Sequence, residues 1–409
     1  MKQAAPLLIC CACAALVPFP AHAADFRVTP NITVSEEFTD NVFETAEGKR
    51  YDFITRLLPG LSLDYKASVL DLSVAYNYDY RYYARNSRSD DTTHNLDARG
   101  LARIVDEFLL LEASDTYKRV SLDVSRDTSN ESLFRNQSDQ NIVTASPYFV
   151  ISTIPHYTIK GGYRYTNTWY KDPSGIDKTE HRAFADLSYE MTKQLSLNGT
   201  YSYVIEDTAV ADLNRHEAMV GGRYEYADKS FVFANGGASR ISYRHGDTFT
   251  NPIWNAGLTH AFDSFTVTLS TGVQYSEDPL RASTEETFYS AVFDMPLKRG
   301  ALTLNASYSD FVNTATDERE TRRYGGGFTL HHELTQRLTG TLGFAAERYE
   351  QNQLDAYTRK FFVDAGLRYE LGEGFSLGGT YRYIDYHSPR IVADNYTVNR
   401  AMVEIRKVF

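Results

Sequence analysis

The sequence predicts an all-β protein: a transmembrane up-and-down antiparallel β-barrel of about twenty strands, with eighteen also compatible, behind a cleaved signal peptide. Three observations predict it. Apolar and polar residues alternate in stretches of roughly ten, repeated about twenty times between Phe26 and Phe409. Long and short connections take turns along the chain, and an export signal precedes a body without cysteine.

Residues 1–23 read as a secretory signal peptide. Lys2 is its lone positive charge, residues 4–17 form a short apolar run, and Ala21-His22-Ala23 fits a small-x-small cleavage site. That run is too short to cross a bilayer as a helix, and no other segment approaches twenty apolar residues. Cys10, Cys11 and Cys13 are the only 3 cysteines and all lie in it; Ile9 is the wrong neighbour for lipid attachment at Cys10. Cleavage after Ala23 takes 23 of the 409 residues and leaves 386 with no cysteine. An exported chain of this size without crosslinks needs another closure, and a ring of strands pairing every backbone donor supplies it. Residues 24–409 therefore read as one barrel domain, without linker or low-complexity tract.

The formal charge is −11, or −12 once Lys2 is removed, and no basic patch interleaved with aromatics appears. Both argue against nucleic acid. With 30 Tyr and only 2 Trp, the aromatic girdles expected at the two membrane interfaces are made mostly of Tyr. A mean hydropathy of −0.41 suits a wall with half of each strand facing water.

Residues 69–83 show the pattern most cleanly. Leu70, Leu72, Val74, Tyr76, Tyr78, Tyr80 and Tyr82 share one parity; Asp71, Ser73, Ala75, Asn77, Asp79 and Arg81 share the other. A period of two sends these sets to opposite faces of a strand, one for lipid and one for water. The stretches 195–203, 265–275 and 375–383 repeat it, with Tyr pairs late in each, at the outer interface. Tyr65, Tyr189, Tyr224, Tyr226 and Tyr369 close the alternate strands and form the inner girdle. Loops are expected around 41–51, 85–93, 118–137, 171–179, 206–214, 244–250, 277–285, 313–320, 350–356 and 387–394. Tight turns are expected near 66–68, 106–107, 152–156, 190–194, 227–230, 262–264, 296–300, 333–336 and 370–374. This gives ten hairpins. In the final strand Ala401, Val403, Ile405 and Phe409 share a face, and a C-terminal aromatic on such a strand resembles the assembly signal of bacterial outer-membrane proteins.

The first hairpin carries a family resemblance. Glu37-Phe38-Thr39-Asp40-Asn41-Val42-Phe43-Glu44-Thr45, then Tyr51-Asp52-Phe53-Ile54 and Pro59-Gly60-Leu61-Ser62-Leu63, resemble the opening of an outer-membrane β-barrel porin family. Many of its members are associated with exopolysaccharide or exosortase (PEP-CTERM) gene clusters. Arg126-Asp127-Thr128-Ser129-Asn130 is also similar to that group, while Thr39-Asp40 stands where the family usually has paired Asp. The resemblance implies a barrel in a polysaccharide-export setting and carries no catalytic residue.

No enzymatic constellation emerges, so no catalytic, cofactor or metal residue is assigned. His331-His332-Glu333 sits at an expected inner turn, with neighbours pointing to opposite faces. Gly325-Gly326-Gly327 lies within a strand, where glycine eases curvature rather than cradling phosphate.

The inner face is richer. Parity assigns to it Arg56, Arg81, Arg99, Arg103, Arg164, Arg182, Arg223, Arg240, Arg323, Arg368, Arg382, Arg400 and Arg406, beside Asp64, Asp71, Asp79, Asp97, Asp186, Glu217, Glu225, Asp364 and Glu404. Arginine at mid-depth on the lipid face would cost ~2–4 kcal/mol, so these charges belong in a hydrated or mutually paired lumen. That lumen reads either as an ion-paired scaffold or as a polar conduit attracting anionic solutes or sugar acids. The long third loop, residues 118–137, is the candidate constriction, through Lys118, Arg119, Asp123, Arg126, Asp127, Glu131 and Arg135. The competing reading is an external flap, or a hairpin extending its strands above the membrane, since Val120, Leu122 and Val124 alternate.

The leading expectation is a hydrophilic conduit in the bacterial outer membrane serving exopolysaccharide export. A general diffusion porin and a non-conducting structural barrel are the alternatives. Outer-membrane lipids, the barrel-assembly machinery and polysaccharide or small hydrophilic solutes are the expected partners. A plug-bearing active transporter is disfavoured, because the first strand begins two or three residues after the cleavage site.

Overall fold

The computed structural model describes residues 24–123, 135–276, 278–351 and 356–409. They form twenty strands in one antiparallel sheet. Those running outward are β1 (Asp25–Thr39), β3 (Leu70–Tyr83), β5 (Leu109–Ser121), β7 (Tyr157–Tyr170) and β9 (Leu195–Thr208). They continue with β11 (Ser230–Tyr243), β13 (Thr266–Ser276), β15 (Gly300–Asn313), β17 (Leu338–Gln351) and β19 (Phe375–His387). Returning strands are β2 (Asp52–Lys66), β4 (Asp91–Val105), β6 (Gln137–Ile151), β8 (Lys178–Glu190) and β10 (Leu213–Ala227). The remainder are β12 (Thr248–Ala261), β14 (Thr284–Leu297), β16 (Glu318–Glu333), β18 (Ala356–Gly372) and β20 (Tyr396–Val408).

Each strand pairs with its sequence neighbours, and β1 pairs with β20 from Asn31↔Val408 to Thr39↔Arg400. The Phe409 amide extends that seam by donating to the Pro30 carbonyl at 3.0 Å. Closure removes the sheet edges that an open sheet would present to lipid or to another chain.

The two faces separate as the alternation requires. Leu57, Leu61, Leu187, Val220, Leu304, Leu342, Leu367 and Val403 are exposed around the outside, Val220 to 72%. A continuous apolar belt of this kind is foreign to a water-soluble monomer and suits hydrocarbon. Asp79, Ser239, Ser309 and Arg400 are buried on the opposite face. Tyr201, Tyr289, Tyr324 and Tyr381 stand exposed on the outer half of the belt, and Tyr157, Tyr224 and Tyr369 on the inner half. Three outer tyrosines have a polar handle: Tyr76, Tyr163 and Tyr201 each place the hydroxyl against a histidine Nδ1 of the next strand, His94, His181 and His216. Buried or interfacial tyrosine hydroxyls generally find such a partner.

Tight turns join strands on the inner side. Between β18 and β19, Glu373 and Gly374 both have positive φ, +51° and +76°, as a two-residue type I′ hairpin demands. A Cβ on Gly374 would come within 2.2 Å of the Val408 carbonyl oxygen on the closing strand. Gly374→Ala is therefore expected to strain the seam and cost ~1–3 kcal/mol, measured as a lowered urea midpoint for unfolding from detergent micelles.

Candidate functional site: the charged lumen

Alternation alone places most of the inward charges, and register brings them together. On β2 and β3, Arg56 and Arg81 stand directly opposite each other and share Asp79, at 2.7 Å and 2.8 Å. Two like charges facing across strands would be destabilising without that carboxylate. Arg99 pairs with Asp97 at 3.0 Å and Arg103 with Asp71 at 2.6 Å. Arg182 meets Glu180 and Glu217 at 3.1 Å and 3.4 Å, and Arg223 meets Glu225 at 3.3 Å. Arg323 reaches Glu286 at 3.5 Å, Arg368 reaches Glu404 at 3.2 Å and Arg382 reaches Asp364 at 3.0 Å. Arg164 and Arg406 also face inward, but no carboxylate within 4.0 Å is found for either among the described residues.

Arg240 is the exception. It stands directly opposite His216, on the outward face with Val220 and Val232, and its side chain is exposed at the outer rim. The inward positions of β11 are taken by Phe231, Phe233, Ser239 and Ile241. Phe231 lies under the guanidinium of Arg223 at 3.4 Å from the ring centroid, so a lumen-facing aromatic reverses the apparent parity of this strand.

Solvent access differs along the barrel axis. Towards the inner end the Arg99 side chain is 73% exposed and that of Arg368 48%. Near the outer mouth Arg215 is 4% exposed and Arg400 8%. An open inner vestibule thus leads to a packed outer mouth.

The packing comes from a part of the wall that leaves the wall. β12 and β13 pair over only seven residue pairs, from Ala261↔Thr266 to Asn255↔Gly272. β13 continues beyond that point with β14 alone, as far as Ser276↔Thr284. Tyr275 and Glu285 share the outward parity of Tyr289, yet Tyr275 lies under the inward-facing Arg215 at 4.4 Å. Glu285 likewise accepts from the inward-facing Asn251 at 2.9 Å. The outer face of the β13–β14 tip therefore abuts the inner face of β10–β12: the hairpin is tucked into the lumen. Pro252 lies in the stretch of β12 left without a β13 partner, where a missing N–H is tolerated.

The tip is pinned on both sides. On the flank facing the start of β8, the Lys178 ammonium donates to the Ala282 carbonyl at 3.0 Å and the Ile176 amide to the Pro279 carbonyl at 2.7 Å. On the other flank Arg281 forks onto both oxygens of Glu320 at 3.0 Å and 2.9 Å and also reaches Asp278 at 3.1 Å. Burial opposes the Arg281 charge, but the Glu320 and Asp278 carboxylates outweigh it and raise the pKa. A paired, doubly hydrogen-bonded arginine at a partly buried position fixes geometry more than it adds stability.

The third loop behaves otherwise. β5 and β6 stay paired to Ser121↔Gln137, above the last β4–β5 pair at Leu96↔Tyr117. They form a hairpin standing above the wall, as the Val120–Leu122 alternation allows. Lys118 keeps the lumen parity, whereas Arg119 takes the outward parity of Tyr117 and pairs with Asp91 at 2.6 Å and Asp139 at 2.9 Å. Arg119 is thus no pore-facing charge. The Asp123 amide donates back to the Ser121 hydroxyl at 3.3 Å. Arg135 crosses to the seam loops, donating to Ala393 O at 2.6 Å and lying 3.6 Å from Glu44, which also holds Arg400 at 3.0 Å. Arg126, Asp127 and Glu131 lie outside the described residues. The connection expected around 277–285 lies where the sequence places it, but its tuck into the lumen is not legible there; Pro252 is the one local signal.

These features define a class: a closed, twenty-stranded β-barrel with a lipid-compatible exterior and a charged interior. No family model matches the chain, and no curated protein does. Among solved structures it is similar to a mutant of the ferric enterobactin receptor PfeA from Pseudomonas aeruginosa, at 10% identity, 94% of this chain, 80% of that one and a TM-score of 0.53. The FrpB iron transporter from Neisseria meningitidis (F3-3 variant) gives 9%, 93%, 82% and 0.52. The siderophore receptor PirA from Pseudomonas aeruginosa gives 11%, 94%, 80% and 0.50. At such identity the likeness is one of fold, the fold of Gram-negative outer-membrane barrels. Among the described residues no cluster of side chains suits a metal ion.

Proposed function

We propose that the chain is the outer-membrane conduit of an exopolysaccharide export system, passing hydrophilic, carbohydrate-type material through a lumen narrowed by the tucked hairpin. The observation that carries a conduit is the exposure of paired charges inside the inner vestibule, Arg99 above all. A barrel filled solid by ion pairs would bury them. The export setting is supported by the resemblance of residues 37–63 to the porin family linked to such gene clusters. Outer-membrane lipids would contact the apolar belt, and the assembly machinery would read Val403, Ile405 and Phe409, which lie exposed at the closing strand.

A deletion strain assayed for secreted polysaccharide tests the reading. Export should fall at least about tenfold and return with the intact gene, a loss expected when a sole outlet is removed. A diffusion porin is the second reading, favoured by the size of the half-open space beneath the hairpin, about 370 Å³, which suits a single small solute. Unchanged secretion together with slower uptake of small hydrophilic solutes would establish that alternative.

A further inference from the structure

Beneath the tucked hairpin, β5–β10, Tyr275 and residues 282–283 line that half-open cavity of about 370 Å³, at the low end of small-ligand pockets. Its cations are Arg164, Lys178, Arg182 and Arg215. Three are already engaged. Lys178 gives its ammonium to the Ala282 carbonyl. Arg215 holds Glu217 at 2.6 Å, with Glu180 and Glu206 at 3.9 Å and 4.0 Å. Arg182 sits between Glu180 and Glu217.

Arg164 has none of this. It stands directly opposite Arg182 on the same face, a like-charge neighbour, and its guanidinium lies 5.7 Å from the centre of the Phe184 ring. Its Nε is buried without a hydrogen-bond partner. So is the hydroxyl of Ser146 on the adjoining strand. Buried polar atoms left orphaned beside a polar cavity mark a place where something else completes the bonding. Ser114, Thr144 and Thr166 add hydroxyls to the lining, while Glu112 is a carboxylate there with no ion-pair partner among the described residues. One uncompensated guanidinium, several hydroxyls and a nearby acid select a monoanion rich in hydroxyl groups and disfavour a dianion.

We infer that Arg164 anchors a binding site for the carboxylate of a single sugar acid within the lumen, with the hydroxyls of Ser114, Thr144 and Thr166 receiving the ring. This deepens the conduit reading and rests on the lumen being open to solute.

The test is equilibrium binding of radiolabelled glucuronate and glucose to the detergent-solubilised barrel, run beside conductance in planar bilayers. Glucuronate should bind saturably and glucose at least about tenfold more weakly, the scale of a charge-assisted contact. Arg164→Gln should weaken glucuronate about tenfold or more, and Arg164→Lys less. Lys193→Gln, which removes a charge from an inner turn, should change nothing. Retained heat-modifiable mobility on gels establishes that each variant is folded. Equal affinity for the two sugars, or affinity indifferent to Arg164, overturns the site even if the barrel conducts. Binding lost with Arg164→Gln in a barrel that never conducts upholds the site and overturns the conduit.

Discussion

Single-channel conductance rises by about twofold or more when residues 278–283 are replaced by a short Gly-Ser turn, because the tip tucked against β10–β12 is then withdrawn from the lumen. The same direction is expected of Lys178→Ala combined with Arg281→Ala. Each substitution cuts a pin on one flank of the β13–β14 tip, the Ala282 contact on one side and the Glu320 fork on the other. Either alone leaves the opposite flank attached, so the double variant should exceed the sum of the singles. Such non-additivity is the signature of two restraints on one element. Added flicker between two current levels would show the tip leaving and returning. An unchanged conductance in both the replacement and the double variant would remove the hairpin from the permeation path.

Adjacent residues on β10 should respond very unequally to the same change. Val220→Arg places a guanidinium on the lipid face at mid-strand, where Val220 is 72% exposed, and should cost ~2–4 kcal/mol. Met219→Arg points to the lumen beside Glu217 and should cost less than ~1 kcal/mol. Urea unfolding from phospholipid vesicles reads the difference. Equal costs would mean that the two faces do not meet different solvents.

Most of this architecture is legible in a period of two. The alternation across residues 69–83 sorts side chains onto two faces, and the alternating connection lengths fix the hairpins, so all twenty strands follow from local information. Two features escape it for physical reasons. Arg240 turns outward because Phe231 and Phe233 take the lumen face of β11, beside Arg223, and leave the other parity to the lipid side. Parity names two faces but not which is wet; that depends on the neighbouring strand. The tucked hairpin escapes because residues 266–275 alternate without a break, and the departure lies in the partner, where β12 stops pairing at Asn255. Loss of pairing between strands is a non-local event, and Pro252 is the lone trace of it in sequence. The third loop drew attention by length and charge, yet Arg119 spends its charge on Asp91 and Asp139 in an upright hairpin.

One division underlies both the wall and the lumen: hydrocarbon outside and water inside a closed ring. Single cysteines placed along β3 test it most directly, since all native cysteines fall within residues 1–23. Barrels reconstituted in vesicles should show a two-residue rhythm towards a charged thiol reagent: Ser73, Ala75 and Asn77 replaced by Cys react quickly, Leu72, Val74 and Tyr76 replaced by Cys hardly at all. Equal reactivity along both parities would contradict the barrel's sidedness and everything built on it.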